Sequence, residues 1–400
     1  MIDATPIKGH DLTRKLNLGL NIVLSIAVAS SLFLLAQPGK VLLKNFVKLE
    51  NAEVLVLFIG MLFMVNLYRE LGNIADYFLY WTKFIKNPRL SLIATSMVLG
   101  ILPVKGRTII SAPIIGQIAQ KNKLNKLSAA LVDYLATHIV YFLLPIEGSV
   151  VVVLATFAAT GLSLGKFVSY MLPGVLVLLA AVGYYSWKTT DNNSEYILEE
   201  SKISFKQSSK ATLPIAILMA ALFVFKMYQI KYAMIAGTII FISLSLYLLK
   251  PTKAQVQKSI RTMDKQLILT LVLIFLFSAT ISKMPQISIL TNQWLASGAG
   301  LTLLGLISYA IGFIIGDSKG MTLAVFPIIL PLVASSSHPF QIIAIIYAML
   351  YAGYIASPAH ACCHYAASYF ETPYLKVWAR FSLYGLAASA DIIIVALIRG

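Results

Sequence analysis

Charge is scarce in this sequence. Asp, Glu, Lys and Arg make up 12% of its 400 residues, whereas hydrophobic residues make up 58%. Soluble domains usually contain about 25% charged residues. This composition excludes an ordinary soluble protein. It predicts an all-α polytopic membrane protein, in which each helix satisfies its own backbone hydrogen bonds within the bilayer.

Cysteine is nearly absent as well. The sequence contains two, Cys362 and Cys363, which are adjacent and cannot form a disulfide framework, so we interpret them as small core residues. The sequence has no Gly-x-x-x-x-Gly-Lys-Ser/Thr motif, which argues against direct ATP coupling, and no cofactor is expected. His360 and His364 share one helix face, but Ala361 stands where a zincin requires Glu, so no metal site is expected.

Acidic residues are outnumbered by basic ones, 16 against 32, which gives a net charge of +16. The basic residues lie in short loops between apolar runs, which is typical of topology signals and not of a nucleic-acid groove. Their distribution predicts a multi-pass protein of the plasma membrane with a cytoplasmic N-terminus and an external C-terminus. The lipid bilayer is therefore an expected partner, and nucleic acid is not.

Apolar runs of roughly 20 residues mark membrane crossings. Nine are predicted, near residues 17–36, 52–68, 127–160, 165–186, 213–229, 232–249, 265–282, 341–370 and 376–398. Residues 72–88 combine aromatic and basic side chains, and we interpret them as an amphipathic helix in the membrane interface. The predicted organisation is a first repeat (1–186), a cytoplasmic linker with a linking span (187–230) and a second repeat (231–400).

One pattern occurs twice. Residues 105–115 and 319–329 share Lys, Gly, Thr, Pro and two Ile in register, 214 positions apart (319 − 105). The Lys-Gly pair interrupts an apolar segment in each case, 90–120 and 300–334, and both halves of each segment are short for a span. This favours two re-entrant hairpins, although two ordinary spans joined by a tight turn also fit. The odd number of crossings between equivalent positions makes the halves inverted repeats, as in many secondary transporters.

The hairpin tips are the candidate substrate site. Helix N-termini and unpaired backbone N–H groups favour anions, and Lys105, Arg107 and Lys319 add positive charge. Thr108 and Thr322 are placed to cap the outgoing half-helix or to donate to a ligand. The alternative is that the basic side chains reach water from a shallow turn. The predicted substrate-binding residues are Lys105, Gly106, Arg107, Thr108, Ser111, Lys319, Gly320, Thr322, Ser357 and His360.

Prolines and ionisable residues near the tips form the candidate coupling site. Pro145 and Pro358 break their helices and free backbone carbonyls that can hold a cation or substrate. An intramembrane carboxylate is a functional candidate by default. The alternative is that the carboxylates neutralise the basic tip residues as fixed ion pairs. The predicted ion-coupling residues are Asp133, His138, Glu147 and Asp317.

The chain resembles a known family at several of these positions. The likeness lies in 102–113, in Asp133-Tyr134 with His138 and Pro145, and in 351–370. These stretches are similar to uncharacterised prokaryotic membrane proteins that are related to gluconate permeases, within the ion-transporter superfamily of the divalent-anion/sodium symporters. The resemblance implies two inverted repeats whose hairpins meet at the site, and often a homodimer that moves its substrate by an elevator-like shift. The Ser-Asn-Thr tips of the sodium/dicarboxylate symporters are absent, so the resemblance does not carry sodium coupling with it.

Together these features predict a secondary active transporter, and not an enzyme. Its expected substrate is a small organic anion such as a carboxylate, moved as a permease or symporter with protons or sodium. A cation/proton antiporter on the same scaffold would use Asp133, Glu147 and Asp317. An intramembrane enzyme would use His360, His364 or Ser357. A structural scaffold is the remaining alternative, and it would need no polar residues at the midplane.

Overall fold

The computed structural model describes most of the chain from residue 49 onward. The described ranges are 49–72, 80–85, 87–100, 124–144, 147–157, 160–189, 203–227, 232–263, 299–358 and 360–399, with single residues in 77, 108–119, 265–273 and 293. The predicted crossing at 17–36, most of the one at 265–282 and most of the linker at 190–202 lie outside these ranges. The residues Lys105, Gly106, Arg107 and Pro145 lie outside them too.

The structure is all-helical, as predicted, and the described residues contain no strand. The helices that precede the cytoplasmic linker are α1 Leu49–Leu71, α2 Pro88–Gly100, α3 Lys126–His138, α4 Val140–Leu143, α5 Gly148–Thr156 and α6 Leu164–Thr189. The later helices are α7 Phe205–Met227, α8 Ala233–Leu249, α9 Lys253–Arg261, α10 Ala299–Ile315, α11 Ser318–Ser335, α12 Pro339–Ala356, α13 Ala361–Tyr369 and α14 Tyr374–Arg399.

Five helical stretches in the described part are long and apolar enough to cross a membrane. They are Lys126–Leu154, Leu164–Lys188, Ser318–Ser335, Pro339–Ala356 and Tyr374–Arg399. Four shorter apolar helices accompany them: Leu55–Tyr68, Arg89–Gly100, Ile235–Leu249 and Gly300–Ile315. This content agrees with a membrane protein.

The helix boundaries recur at a nearly constant offset. Helix α3 begins at position 126 and α12 at position 339, an offset of 339 − 126 = 213. Helices α5 and α13 have nine residues each, and their first positions differ by the same amount, 361 − 148 = 213. Helices α6 and α14 have 26 residues each, and their first positions differ by 374 − 164 = 210. The order of a helix, a break, a nine-residue helix and a 26-residue helix therefore occurs twice, although the 13-residue α3 is followed by the short α4 whereas α12 has 18 residues without interruption.

Two helix boundaries differ from those predicted from the sequence, and the first of them lies before α2. The predicted interface helix over 72–88 contains a short 3-10 turn, Tyr80–Phe84, and it does not continue into α2. Asn87 caps α2 by accepting hydrogen bonds from the backbone N–H groups of Arg89 and Leu90, and Pro88 is its first residue. Proline lacks the N–H that would continue a helix, but it fits the first helical position.

In the second half, the interruption lies at Gly316 and Asp317, and not at the Lys319-Gly320 pair. Gly316 has a φ of +58°, a left-handed conformation that favours glycine. The Asp317 carboxylate then accepts a hydrogen bond from the backbone N–H of Gly320 at 2.8 Å, so α11 already begins at Ser318. A capping carboxylate stabilises the first turn of a helix. Lys319 therefore lies in the first turn of α11, which at 18 residues is long enough to span.

The described helices pack around two apolar cores. The larger core joins α2–α6 to α11–α14 through large buried side chains such as Phe142, Phe326 and Tyr347. The smaller core joins α1, α7 and α8 through Leu67, Leu218 and Phe241. The functional candidates of the sequence that the structure describes lie in the larger core or at its edge.

Candidate functional site

Two histidines from distant parts of the chain meet inside the larger core. His138 is the last residue of α3, and His360 lies in the break between α12 and α13. Their Nε2 atoms are 3.3 Å apart, and each residue is only 2% exposed. We call this pair, together with Tyr134, Tyr141 and Tyr354, the histidine junction. The junction brings together two predicted site residues that lie 222 positions apart in the sequence.

Hydrogen bonds assign the tautomers at the junction. The Nδ1 of His138 lies 2.6 Å from the carbonyl oxygen of Tyr134, so this nitrogen must carry the proton and donate it. The Nε2 of His138 then presents a lone pair to Nε2 of His360. For a hydrogen bond between the rings, the His360 proton sits on Nε2, and its Nδ1 accepts from the Tyr134 hydroxyl at 3.0 Å. One tyrosine therefore orients both rings.

Further tyrosines satisfy the backbone groups around the break. The hydroxyls of Tyr141 and Tyr354 lie 3.1 Å apart. The Tyr347 hydroxyl donates to the carbonyl of Tyr141 at 2.6 Å, and the Tyr351 hydroxyl donates to the carbonyl of His138 at 3.4 Å. A buried carbonyl without a partner costs free energy, so these bonds from α12 stabilise the irregular stretch that follows α3.

A carboxylate group lies one turn before the junction on α3. Asp133 is completely buried, and the Ser111 hydroxyl donates to its Oδ2 at 2.8 Å. The Ser96 side chain of α2 also interacts with this carboxylate. Three other buried hydroxyls, those of Ser91, Thr95 and Thr108, have no hydrogen-bond partner within the described ranges. The predicted residues Asp133 and Ser111 are thus in direct contact, and Thr108 precedes Ser111 by three positions.

Glu147 lies on the other side of the break, next to α11. It is 3% exposed, and the Ser318 hydroxyl donates to its Oε1 at 3.3 Å. The aliphatic stem of Lys319 packs against Gly148, where a Cβ would collide with it. The first turn of α11 and the start of α5 therefore place Glu147 and Lys319 on adjoining surfaces.

Several predicted residues have structural roles in the described conformation. The Thr322 hydroxyl donates to the carbonyls of Ser318 and Lys319 within its own helix, so it does not cap α11. Asp317 takes that role instead, and its carboxylate bonds to Gly320. Ser357 is buried, and its carbonyl accepts from the His360 N–H at 3.2 Å, which fixes the turn between α12 and α13.

His364 does not join His360, although the two lie four positions apart in the sequence. Its Nε2 bonds to the carbonyl of Pro358 at 2.8 Å, and its ring stacks on Tyr374. His360 pairs with His138 instead, because the helix begins only at Ala361 and the two histidines do not share its face. Pro358 itself is exposed in the turn before His360.

Sequence reasoning missed two members of the site. Tyr347 had no assigned role, and Cys362 was interpreted as a small core residue. Tyr347 could have been found from the sequence, because it follows Tyr134 by 213 positions, the same offset that separates Tyr141 from Tyr354. Cys362 is the third member of a group, with His138 and His360, whose donor atoms all lie within 4.8 Å of one another. Such a group has the spacing to hold a metal ion.

Comparison with protein families gives one match over nearly the whole chain. The family model described as "Protein of unknown function (DUF401)" matches residues 7–399. A search of curated proteins gave no match.

Proposed function

We propose that this chain, which belongs to the DUF401 family of proteins of unknown function, is a secondary active transporter of a small organic anion. A carboxylate is the expected substrate, and protons or sodium are the expected coupling ions. The observation that carries this proposal is the histidine junction, in which the breaks that follow α3 and α12 meet inside the protein. Broken helices that meet in the interior are typical of transporter substrate and ion sites.

The recurrence of the helices supports the same proposal. Equivalent helices begin at nearly the same offset along the chain, and each break is followed by a nine-residue helix and then by a 26-residue helix. We propose that the two sets are inverted repeats within nine crossings, with hairpins at 90–120 and 300–334. In that arrangement the two tips approach one another from opposite sides of the membrane. Each repeat then supplies half of a site that alternates in access.

We assign roles to the residues of this proposed site from their charges. Lys319 lies beside the break at Gly148 and supplies positive charge for an anionic substrate, with Lys105 and Arg107 as its counterparts in the first half. We propose Asp133 and Glu147, both buried, as the carboxylates of the coupling site. Intramembrane carboxylates of this kind mark ion and proton pathways.

The first experiment is a thermal-shift screen of the detergent-purified protein. The panel contains carboxylates, phosphate and sulfate, each with and without sodium, at two pH values. A ligand at 100 times its Kd stabilises the folded state by about 2.7 kcal/mol. We expect a carboxylate to raise the Tm, and we expect Lys319→Gln to abolish this shift. Lys376→Gln is the matched control, since Lys376 is exposed at the start of α14.

A cation/proton antiporter is the second candidate, and Asp133 favours it. Its carboxylate is completely buried and lies against the hydroxyls of Ser111 and Ser96, which are further oxygen donors. Oxygen donors of this type bind hard cations. If sodium or pH alone shifts the Tm and no anion changes it, the anion proposal is wrong and the antiporter proposal replaces it.

A further inference from the structure

We infer that His138, His360 and Cys362 form a binding site for one divalent d-block cation, with Zn²⁺ as the expected ion. This inference goes beyond the proposed transport function and does not depend on it. The residues come from both breaks: His138 ends α3, His360 precedes α13, and Cys362 is the second residue of α13. Two imidazoles and one thiolate are a donor set that suits zinc.

The distance between the two histidine nitrogens fits an edge of a tetrahedral site, and the third donor lies nearby. One donor atom from each of the three residues lies within 4.8 Å of the others, and the two Nε2 atoms are 3.3 Å apart. Zn–N bonds of about 2.0–2.1 Å at a tetrahedral angle place two nitrogens about 3.3–3.4 Å apart. An N–H hydrogen bond usually has its heavy atoms about 2.7–3.2 Å apart. The separation of the rings is therefore compatible with an edge of a zinc coordination shell as well as with a hydrogen bond between the rings in the absence of an ion.

The surrounding hydrogen bonds have the arrangement that metal-ligating histidines require. His138 donates its Nδ1–H to the carbonyl of Tyr134, and Nδ1 of His360 lies 3.0 Å from the Tyr134 hydroxyl. Histidines that bind metals through one nitrogen almost always donate from the other to a carbonyl, carboxylate or water. Tyr134 therefore positions both Nε2 atoms toward a common point.

Burial distinguishes the two cysteines. Cys362 is half-buried, whereas its neighbour Cys363 is 1% exposed and is not a member of the three-donor group. Three protein donors leave a fourth position for water or another ligand, which is the arrangement of zinc sites that are not purely structural.

Proton balance follows from the assigned tautomers. The Nε2 of His138 already carries a lone pair. The proton of His360 moves from Nε2 to Nδ1, where it is donated to the Tyr134 oxygen, and the ring stays neutral. The Cys362 thiol loses its proton to solvent when sulfur binds the ion, because the thiolate is the ligand. One proton is therefore released for each ion bound, and no oxidant or reductant is needed.

Cobalt absorption tests the site directly on the full-length protein in detergent. After treatment with a chelator, the protein is titrated with Co²⁺. We expect one ion per chain, visible bands typical of tetrahedral cobalt and a near-ultraviolet thiolate-to-cobalt band, all of which Zn²⁺ displaces. Cys362→Ser should remove the thiolate band, and Cys363→Ser is the matched control that should retain it. His138→Ala and His360→Ala should weaken binding at least tenfold, whereas His364→Ala should not change it.

A folding control and a replacement variant separate loss of the metal site from loss of the fold. Thermal unfolding establishes that each variant is folded, and if an alanine variant is not, Tyr134→Phe replaces it, with an expected loss of about 10–100-fold in affinity. The absence of a thiolate band in the wild-type protein overturns the inference, as does a band that survives Cys362→Ser or disappears in Cys363→Ser. Because the readout is absorption, failure of the transport proposal leaves this result unchanged.

Discussion

The hydroxyl oxygens of Tyr141 and Tyr354 lie 3.1 Å apart, although the two residues are 213 positions apart in the chain. Tyr141 is in α4, just after His138, and Tyr354 is in the last turn of α12. The contact joins α4 to α12 beside the histidine pair, since Tyr141 stacks on His138 and the Tyr354 ring lies against His360. It therefore helps to determine whether the breaks stay together.

Removing the hydroxyl of Tyr141 or that of Tyr354 should destabilise the protein by a similar amount. We expect Tyr141→Phe and Tyr354→Phe each to reduce the free energy of unfolding by about 0.6 kcal/mol, the average for hydrogen bonds between membrane helices. The double variant should be little worse than either single variant, because both remove the same bond. Unfolding in a denaturing detergent measures all three, and fully additive losses would contradict a direct interaction.

Helix α12 should not tolerate a methyl group at Gly353. A Cβ there would overlap the carbonyl oxygen of Tyr309 on α10, and this backbone atom cannot move away as a side chain can. Overpacking of this type costs about 1–3 kcal/mol. We expect Gly353→Ala to lower the Tm clearly. In Gly183→Ala, where nothing lies within 4 Å of the added Cβ, the Tm should stay or rise, since alanine favours helix. Equal Tm values for both would exclude the close approach of α10 and α12.

Asp133 should be required for coupling and dispensable for folding. Asp133→Asn removes a buried ionisable group but retains an acceptor for the Ser111 hydroxyl. We therefore expect at least a tenfold loss of ion-driven uptake into proteoliposomes, with an unchanged or higher Tm. Asp391→Asn is the control, because Asp391 is only half-buried on α14. Unchanged uptake by Asp133→Asn would place the coupling ion elsewhere.

The ion pair between Lys126 and Glu371 should make a small, pH-dependent contribution to stability. Its hydrogen bond and positive charge hold the pKa of Glu371 below its usual value of 4.5, so the pair stabilises the fold above that pH. The contribution is lost as pH falls through the folded-state pKa. Glu371→Gln should therefore lower the Tm slightly at pH 7 and not at all in strong acid.

Salt provides the control for this pair. Both side chains are largely exposed. At 1 M salt the Debye length is about 3 Å, so salt screens the attraction between their charges. The difference between Glu371→Gln and the wild-type protein should then shrink at pH 7. Lys126→Gln should give the same small effect, and the double variant should add nothing. A difference that persists in strong acid would show that Glu371 acts through something other than its charge.

Much of the fold follows from the sequence, because lipid imposes simple rules on it. Length and hydropathy predicted the helices near 127–160, 165–186, 341–370 and 376–398, and the structure has helices in all four regions. The position of the second interruption could not be predicted from the Lys-Gly motif. It depends on one glycine with positive φ and on the capping carboxylate of Asp317, whose effect is local and competes with that of the motif.

The site was predicted in part. Prolines and buried polar residues indicated the breaks, and the sequence named both His138 and His360 as site residues. Their direct contact could not be predicted, because it depends on how α3 and α12 pack against one another. The same holds for Cys362, which lies close to the histidines because α13 begins directly after His360, and not because of any spacing motif.

The two histidines of the junction are synthesised at well-separated times. His360 follows His138 by 222 positions in the chain. At about 5–20 residues per second, the ribosome needs about 11 to 44 s to cover that distance. For most of this interval α3 is present with its buried Asp133 and His138, while α12, which begins at Pro339, has not yet been synthesised. The first half is therefore the part of the newborn protein that quality-control proteases meet, and a chain truncated before Tyr347 should be degraded however well its own helices insert.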